Sequence, residues 1–294
     1  MLLALVAQRS TPTNAALAAA APAEIDCRIL TPRQALALEA PQYAVVGRLD
    51  VKPTLDGVDD GLAALGALLA RGVRTLNPPS ALLGAHDKLL TSRLLHGAGL
   101  PHPRTSFLAP GAPLPPVTGP VVVKPRFGSW GRDVVVCEDD RALERHVRAL
   151  ARRRWFRVQG ALLQELVPPQ GRDLRIVVAG GAIVGAIARV APPGEWRTNV
   201  ALGATRVPVD PPASACALAV QAAAAAGADL IGVDMLPDEA GGHVVLELNG
   251  AVEFTTEYTL DRDPFAATLF ELVRVARNGV EEREDELVAS DVSA

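Results

Sequence analysis

No run of about 20 apolar residues, the length a helix needs to span a bilayer, occurs in the 294-residue sequence, so a membrane protein is not expected. The opening MLLALVAQ is too short for a signal peptide and lacks a basic flank and a cleavage site. It reads as a first buried strand. Three cysteines, Cys27, Cys137 and Cys216, share no metal-ligand spacing and make no even-numbered framework. They are expected as small core residues in a reducing cytoplasm. There is no internal repeat, and no glycine-rich dinucleotide fingerprint follows the first strand. A net charge of −4 argues against wholesale nucleic-acid binding.

Lysine is the scarcest charged residue. Of 29 basic residues only Lys52, Lys88 and Lys124 are lysine. Where arginine serves almost everywhere, a retained lysine marks a place for a compact point charge, unless three simply survived by chance. Their positions decide between these.

What is present is organised. Short apolar runs at Leu2–Val6, Cys27–Leu30, Tyr43–Val46 and Val73–Leu76 alternate with helical stretches near Thr13–Ala21, Arg33–Glu39 and Leu62–Arg71. That alternation predicts a small parallel sheet covered by helices. Asn77-Pro78-Pro79-Ser80 breaks the chain before helical sequence to His96, and a proline-rich connector, Pro110 to Pro120, leads into a strand at Val121–Lys124. A basic helix is expected over Arg141–Arg157 and a strand at Ala161–Leu166. Asp173–Val178 and Ala182–Val190 read as a hairpin around Gly180-Gly181, and Ser214–Ala226 as a helix closed by Gly227. Strands follow at Ile231–Leu236 and His243–Leu248. Three regions are expected: residues 1–79, residues 80–278 with a smaller unit at about 117–167, and an acidic disordered tail at 279–294.

Glu247 and Asn249, two apart on a strand, leave the same face. If Leu236 pairs with His243, Asp234 opposes Val245 and shares that face. Two bare carboxylates at ~4 Å repel by about 4 kcal/mol at an effective dielectric of about 20, so a cation is needed. A set of oxygens without Cys or His favours Mg²⁺ or Mn²⁺. The alternative is ordinary strand-end polars. Lys124 ends an apolar strand and precedes Gly128-Ser129-Trp130-Gly131-Arg132, whose glycines let backbone amides approach phosphate oxygens. Lys88 opens a helix that Asp87 could cap, where a lysine gains nothing from the dipole. Gln164-Glu165-Leu166-Val167 ends a strand before two prolines, an interrupted edge of the kind an adenine ring needs, although most such edges are just strand ends. Arg175 and Arg189 interrupt apolar strands, with Arg197 and Asn199 beyond; their forks await either a ligand anion or a protein acid such as Asp173. The run Arg152-Arg153-Arg154-Trp155-Phe156-Arg157 is expected as a solvated helix end, with an acidic-partner dock as the other possibility.

In order, these segments resemble the ATP-grasp superfamily, and within it the RimK-type amino-acid ligases and LysX-type lysine-biosynthesis ligases. The matching text is NPPSALLGAHDKLLTSRLLHGAGLPHPRT, VVVKPRFGSWGRDVVV, LLQELVPPQGRDLRIVVAGGAIVGAIARV, EWRTNVALGA, GVDML and LELNGAVEF, and the resemblance covers about Asn77 to Arg277. The Gly128–Arg132, Trp196–Asn199 and Asn249–Phe254 segments look closer to the LysX branch. The resemblance implies an α/β (α+β) ATP-grasp fold: an N-terminal Rossmann-like parallel-sheet domain and two ATP-grasp subdomains enclosing the nucleotide. It implies ATP phosphates on Lys88 and Lys124 under the Gly128–Arg132 loop, adenine framed by Gln164, Glu165 and Val167, and magnesium on Asp234, Glu247 and Asn249. Arg197 and Asn199 would lie at the triphosphate and acyl-phosphate end, with Arg175 and Arg189 near it.

The implied activity is ATP-dependent carboxylate–amine ligation by way of an acyl phosphate. The expected substrates are an acidic amino acid, glutamate or α-aminoadipate, and an amine or carboxylate on a peptide, carrier protein or coenzyme. A dipeptide ligase and an ATP-binding regulatory protein are the rivals. No nucleic acid or membrane partner is expected, and a homo-oligomer is compatible with the sequence. Arg48 and Lys52 are placed as selectors of the acceptor.

Overall fold

The computed structural model describes residues 1–38, 43–238 and 240–291, with side chains described up to residue 278. Three sheets carry the architecture. In the first, β1 (Leu2–Val6), β2 (Asp26–Leu30), β3 (Tyr43–Gly47) and β4 (Arg74–Leu76) run parallel in the order β2-β1-β3-β4. The helices α1 (Pro12–Ala19), α2 (Pro32–Leu36) and α3 (Leu62–Ala70) connect them. Thr11 and Thr31 cap the first two, and Thr31 with Gln34 makes a reciprocal capping box. The expected alternation is present. Of the stretch Arg33–Glu39, Glu39 lies outside the described residues.

The expected helix to His96 is two helices, α4 (Pro79–His86) and α5 (Lys88–Gly97). Asp87 stands between them in an extended conformation, and its carboxylate accepts from the backbone N–H of Leu89 and Leu90. Lys88 therefore sits at the first position of a capped helix. The small sheet has the order β5-β8-β6-β7, from β5 (Thr105–Leu108), β6 (Val121–Pro125), β7 (Val135–Cys137) and β8 (Ala161–Glu165). β5 and β7 were not expected: strands of four and three residues are too short to display a period. The predicted basic helix is also two, α6 (Asp140–Leu150) and α7 (Arg154–Gln159). Trp155 and Phe156 of α7 turn inward, and Asp133 takes Arg153 and the indole N–H of Trp155. The aromatics of the basic run thus belong to the core.

The large antiparallel sheet, order β11-β10-β9-β12-β13, uses β9 (Arg172–Ala179), β10 (Ala182–Val190), β11 (Thr205–Pro208), β12 (Leu230–Pro237) and β13 (His243–Asn249). Alternation along β9 decides its two faces. Leu174, Ile176 and Val178 pack against α8 (Ala213–Ala226), an alanine-rich helix that brings its backbone close to the sheet. Val177 and Ala179 join Phe254, Tyr258 and α9 (Pro264–Asp291) on the other side. The same face places Asp173 and Arg175 nearer the opposite end of β9, which is where polar chemistry collects. The helix α9 continues to Asp291, where a disordered tail from 279 had been expected, and residues 292–294 lie outside the described residues.

Candidate active site

Between the small sheet and the large one lies a cleft open to solvent. Lys88, Lys124, the Gly128–Gly131 loop, Gln164, Glu165, Val167, Arg189, Arg197, Asn199, Asp234 and Glu247 all line it. Arg175 and Asn249 line an adjoining cavity, which shares Ser129, Trp130, Arg189, Asn199 and Glu247 with the first. Residues up to about 160 positions apart in sequence are thereby gathered into two connected chambers.

Local geometry explains the gathering. Arg126 makes a two-pronged ion pair with Asp87 at 2.7 and 2.5 Å, and the Lys88 backbone N–H donates to the Arg126 carbonyl at 3.0 Å. These bonds stitch the start of α5 to the end of β6. Lys88 Nζ then donates to the Gly128 carbonyl at 2.6 Å and lies 3.2 Å from Glu247. Lys124 is 5 % exposed, and among the described residues the one hydrogen bond of its ammonium goes to the neutral amide of Gln164, at 2.7 Å. Burial, with help from the charge of Lys88 and against the pull of Glu247, pushes its pKa down to about 7. A buried ammonium without a counterion is costly, and an anionic ligand would relieve that cost.

The loop between them is bent to the task. Trp130, Gly131 and Asp133 all adopt positive φ, at 61°, 70° and 54°. At Gly131 a Cβ would come within 2.6 Å of Asn199 Oδ1, so only glycine lets this loop meet the segment after β10. Arg197 fastens the contact by donating to the Gly131 carbonyl at 3.2 Å. Its guanidinium is also paired with Glu195 at 2.7 Å, which holds the Glu195 carboxyl down to about 2.

The opposite wall is a chain of alternating charge. Arg175 grips Asp234 through two bonds of 2.6 Å, Arg189 reaches Asp234 at 2.8 Å, and both prongs of Arg189 meet Asp173. Thr198 adds a hydroxyl to Asp173. Arg175 and Asp234 are cross-strand neighbours on β9 and β12, as are Asp173 and Arg189 on β9 and β10. Burial alone would raise the Asp234 carboxyl, but the two guanidiniums outweigh it and keep it ionised, below the ordinary range. Asp173 is driven upward by burial, against the pull of Arg189. Of the two partners the sequence left open for these arginines, the protein acids hold both.

Several expectations need correction. Asp234 opposes Glu247, not Val245, because the turn is one residue tighter than expected and a bulge at Leu246 adds another step. The segment before Val167 is not a free edge: β8 is paired on both sides, and its pairing stops only at Glu165, before the prolines. Lys52 pairs with Asp60 at 2.6 Å and lines neither chamber. Arg48 is buried against Asn14, the Val252 carbonyl and Glu253, a strut behind the second chamber. Asp173, named from the sequence only as a possible partner of the arginines, lines the first chamber, and Asp50, His86, Thr198 and Arg206, which no sequence pattern marked, also line the chambers.

Glu247 and Asn249 face the chambers with side-chain oxygens for a cation, and Asp234 lies with them, its two oxygens already accepting from Arg175 and Arg189. Among the described residues no group of three or more His, Cys, Asp or Glu side chains could hold a metal, so the set is two carboxylates and one amide. Among the described residues the amide nitrogen of Asn249 is buried without a partner, and its side chain is therefore not consumed by the fold on that side. A hard, oxygen-seeking ion suits these donors.

The RimK-like ATP-grasp domain family matches residues 85–264. The glutamate–LysW ligase ArgX of Sulfurisphaera tokodaii is 31 % identical over 200 residues, covering 66 % of this chain and 70 % of that protein. A Serratia proteamaculans protein named "Probable alpha-L-glutamate ligase" is 37 % identical over 213 residues, 67 % of each. Among solved structures, a RimK domain ATP-grasp protein from Sphaerobacter thermophilus superposes with a TM-score of 0.66 at 20 % identity, covering 93 % of this chain and 100 % of that one. D-alanine–D-alanine ligase from Bacillus anthracis complexed with ATP gives 0.70 at 15 % identity, covering 96 % and 99 %. At those identities the structures speak for the fold.

Proposed function

The chain belongs to the RimK-like ATP-grasp family and is an ATP-dependent amide-bond ligase, and from that premise we propose that it works through an acyl phosphate and uses glutamate as one substrate. The observation that carries this reading is the convergence of Lys88, Lys124, the Gly128–Gly131 loop and Glu247 on one cleft. Two cations and a glycine loop on one side suit a triphosphate, and the Gln164–Val167 strand end suits a base. Glutamate is preferred to α-aminoadipate because the named relatives are glutamate ligases. The other partner is a peptide, carrier protein or coenzyme, and the setting is the cytoplasm; among the described residues no helix is long and apolar enough to cross a membrane. Residues 1–79 form the N-terminal domain in this reading, and 80–278 the ATP-grasp domain.

In the first step a substrate carboxylate oxygen bonds to the γ-phosphorus and the bond to the bridging oxygen breaks, so ADP leaves. In the second, the amine nitrogen attacks the acyl carbon and loses a proton, and inorganic phosphate leaves. Lys124 and Lys88 offset charge on the phosphates, and burial makes that offset stronger than it would be in water. The Arg175–Asp234–Arg189–Asp173 chain fixes the floor against which the acid is placed, so orientation is set before reaction. Asp234, Glu247 and Asn249 would hold magnesium, which neutralises charge on the transferring phosphoryl group.

The test is ADP release with Mg²⁺, ATP and paired panels of carboxylates and amines. Release that requires both an acid and an amine, matched by amide formed, is expected. ADP release that needs no amine, or nucleotide binding without turnover for every pair, would contradict the proposal.

A further inference from the structure

The second chamber holds groups that the nucleotide reading leaves unused. Asp50, just past the end of β3, accepts the Val51 backbone N–H at 2.7 Å, and among the described residues no side-chain cation lies within ion-pairing distance of it. His86, at the end of α4, is 4 % exposed and lines the same chamber. Its Nε2 is buried without a hydrogen-bond partner among the described residues. The ring is engaged with the Leu49 backbone, and burial lowers its pKa to about 4, so the imidazole is neutral and Nε2 presents a bare lone pair. A Cβ at Gly250 would lie 3.1 Å from that nitrogen, so glycine there keeps it clear.

Among the described residues His86 Nε2 has no protein donor and the Asp50 carboxylate has the Val51 backbone N–H without an ion-pair partner, so both can still accept from a ligand rich in N–H. Donors face the chamber as well. The unpartnered Asn249 Nδ2 is one, and Arg206, held by Glu257 only at 3.5 Å, is another. Arg175 and Arg189 are committed to Asp234 and Asp173, which leaves Arg206 as the cation for a ligand carboxylate. Acceptors with donors across one cavity complement a primary ammonium and a carboxylate on a single small molecule.

We propose that Asp50 and His86 form the amine-recognition site of this ligase, holding the α-amino group of a free amino acid while Arg206 and Asn249 take its carboxylate. The proposal rests on the ligase reading above and assigns its amine substrate to the second chamber. Asp50 and His86 act as positioning residues that aim the amine at the shared boundary of Ser129, Asn199 and Glu247, where the two chambers meet.

Calorimetry on the full chain with Mg²⁺ and the non-hydrolysable analogue AMPPNP tests this. The twenty standard L-amino acids are titrated, L-glutamate first, and each binder is compared with its N-acetyl form. At least one is expected to bind, and blocking its amine should weaken it strongly. Asp50→Asn and His86→Leu should each weaken the free amino acid about 10–100-fold, the worth of a hydrogen bond to a charged group, and shrink the gap to the N-acetyl form. AMPPNP affinity serves as the check on folding, and Asp50→Glu should restore part of the gap. No binder in the panel, or a free-to-acetylated ratio unchanged in both variants while AMPPNP still binds, would overturn the site. Failure of AMPPNP to bind wild-type protein would overturn the ligase reading beneath it.

Discussion

The two walls of the cleft solve the same electrostatic problem in opposite ways. On the small sheet Lys124 is buried with a neutral amide as its partner, and the cost of its charge is left standing. On the large sheet Arg189 is as deeply placed and Arg175 is partly buried, yet each guanidinium is matched by Asp234 or Asp173. From the sequence both walls look like anion sites, since both interrupt apolar strands with cations. The difference teaches that an unmatched buried charge marks where a ligand is received, and a matched set marks where the frame must not move.

The sharpest way to break this contrast is to unmatch the matched wall. Asp234→Ala strands two buried guanidiniums and should cost about 3–5 kcal/mol in chemical denaturation. A loss under about 1 kcal/mol would mean that the network is not structural. Next is Lys124→Met, which removes the unmatched charge. It should leave the fold intact and weaken AMPPNP by about 100-fold or more, the loss expected when a charged hydrogen bond and a counter-charge go together. Unchanged affinity would remove the phosphate role.

A pH series sharpens the same point. Lys124 titrates near 7 in the folded protein against an ordinary value of 10.5. Between these values the unfolded chain keeps a proton that the folded one has shed, so stability should rise with pH across that window. In Lys124→Met this rise should be absent from urea-melt midpoints. A triphosphate would return the proton, so AMPPNP binding at pH 8 should take up protons, read by calorimetry in two buffers of different ionisation enthalpy. The smallest effect is expected at the rim. Glu195 and Arg197 form a partly exposed pair, and Glu195→Gln should change stability by less than about 1 kcal/mol.

Much of the cleft was legible because its marks are local. A lone lysine after Val121-Val122-Val123, a glycine loop behind it and Glu247 two residues before Asn249 need no knowledge of distant pairing. The hairpin at Gly180-Gly181 was visible for the same reason. What stayed hidden depends on contacts across the chain. Arg175 and Asp234 are 59 residues apart, and nothing in either neighbourhood names the other. The bulge at Leu246 leaves the hydrophobic pattern intact while shifting the register, so Asp234 met Glu247 instead of Val245. Asp50 and His86 lie on ordinary strand-end and helix-end sequence, and only the fold brings them to one chamber.

A crystal structure of the protein with AMPPNP and Mg²⁺ tests the central claim most directly. The account predicts phosphate oxygens within hydrogen-bonding distance of Lys88 and Lys124 Nζ, the base against Gln164–Val167, and the Arg175–Asp234 pair still in place. Nucleotide bound elsewhere, or bound in the cleft with Lys124 still turned to Gln164 alone, would contradict it.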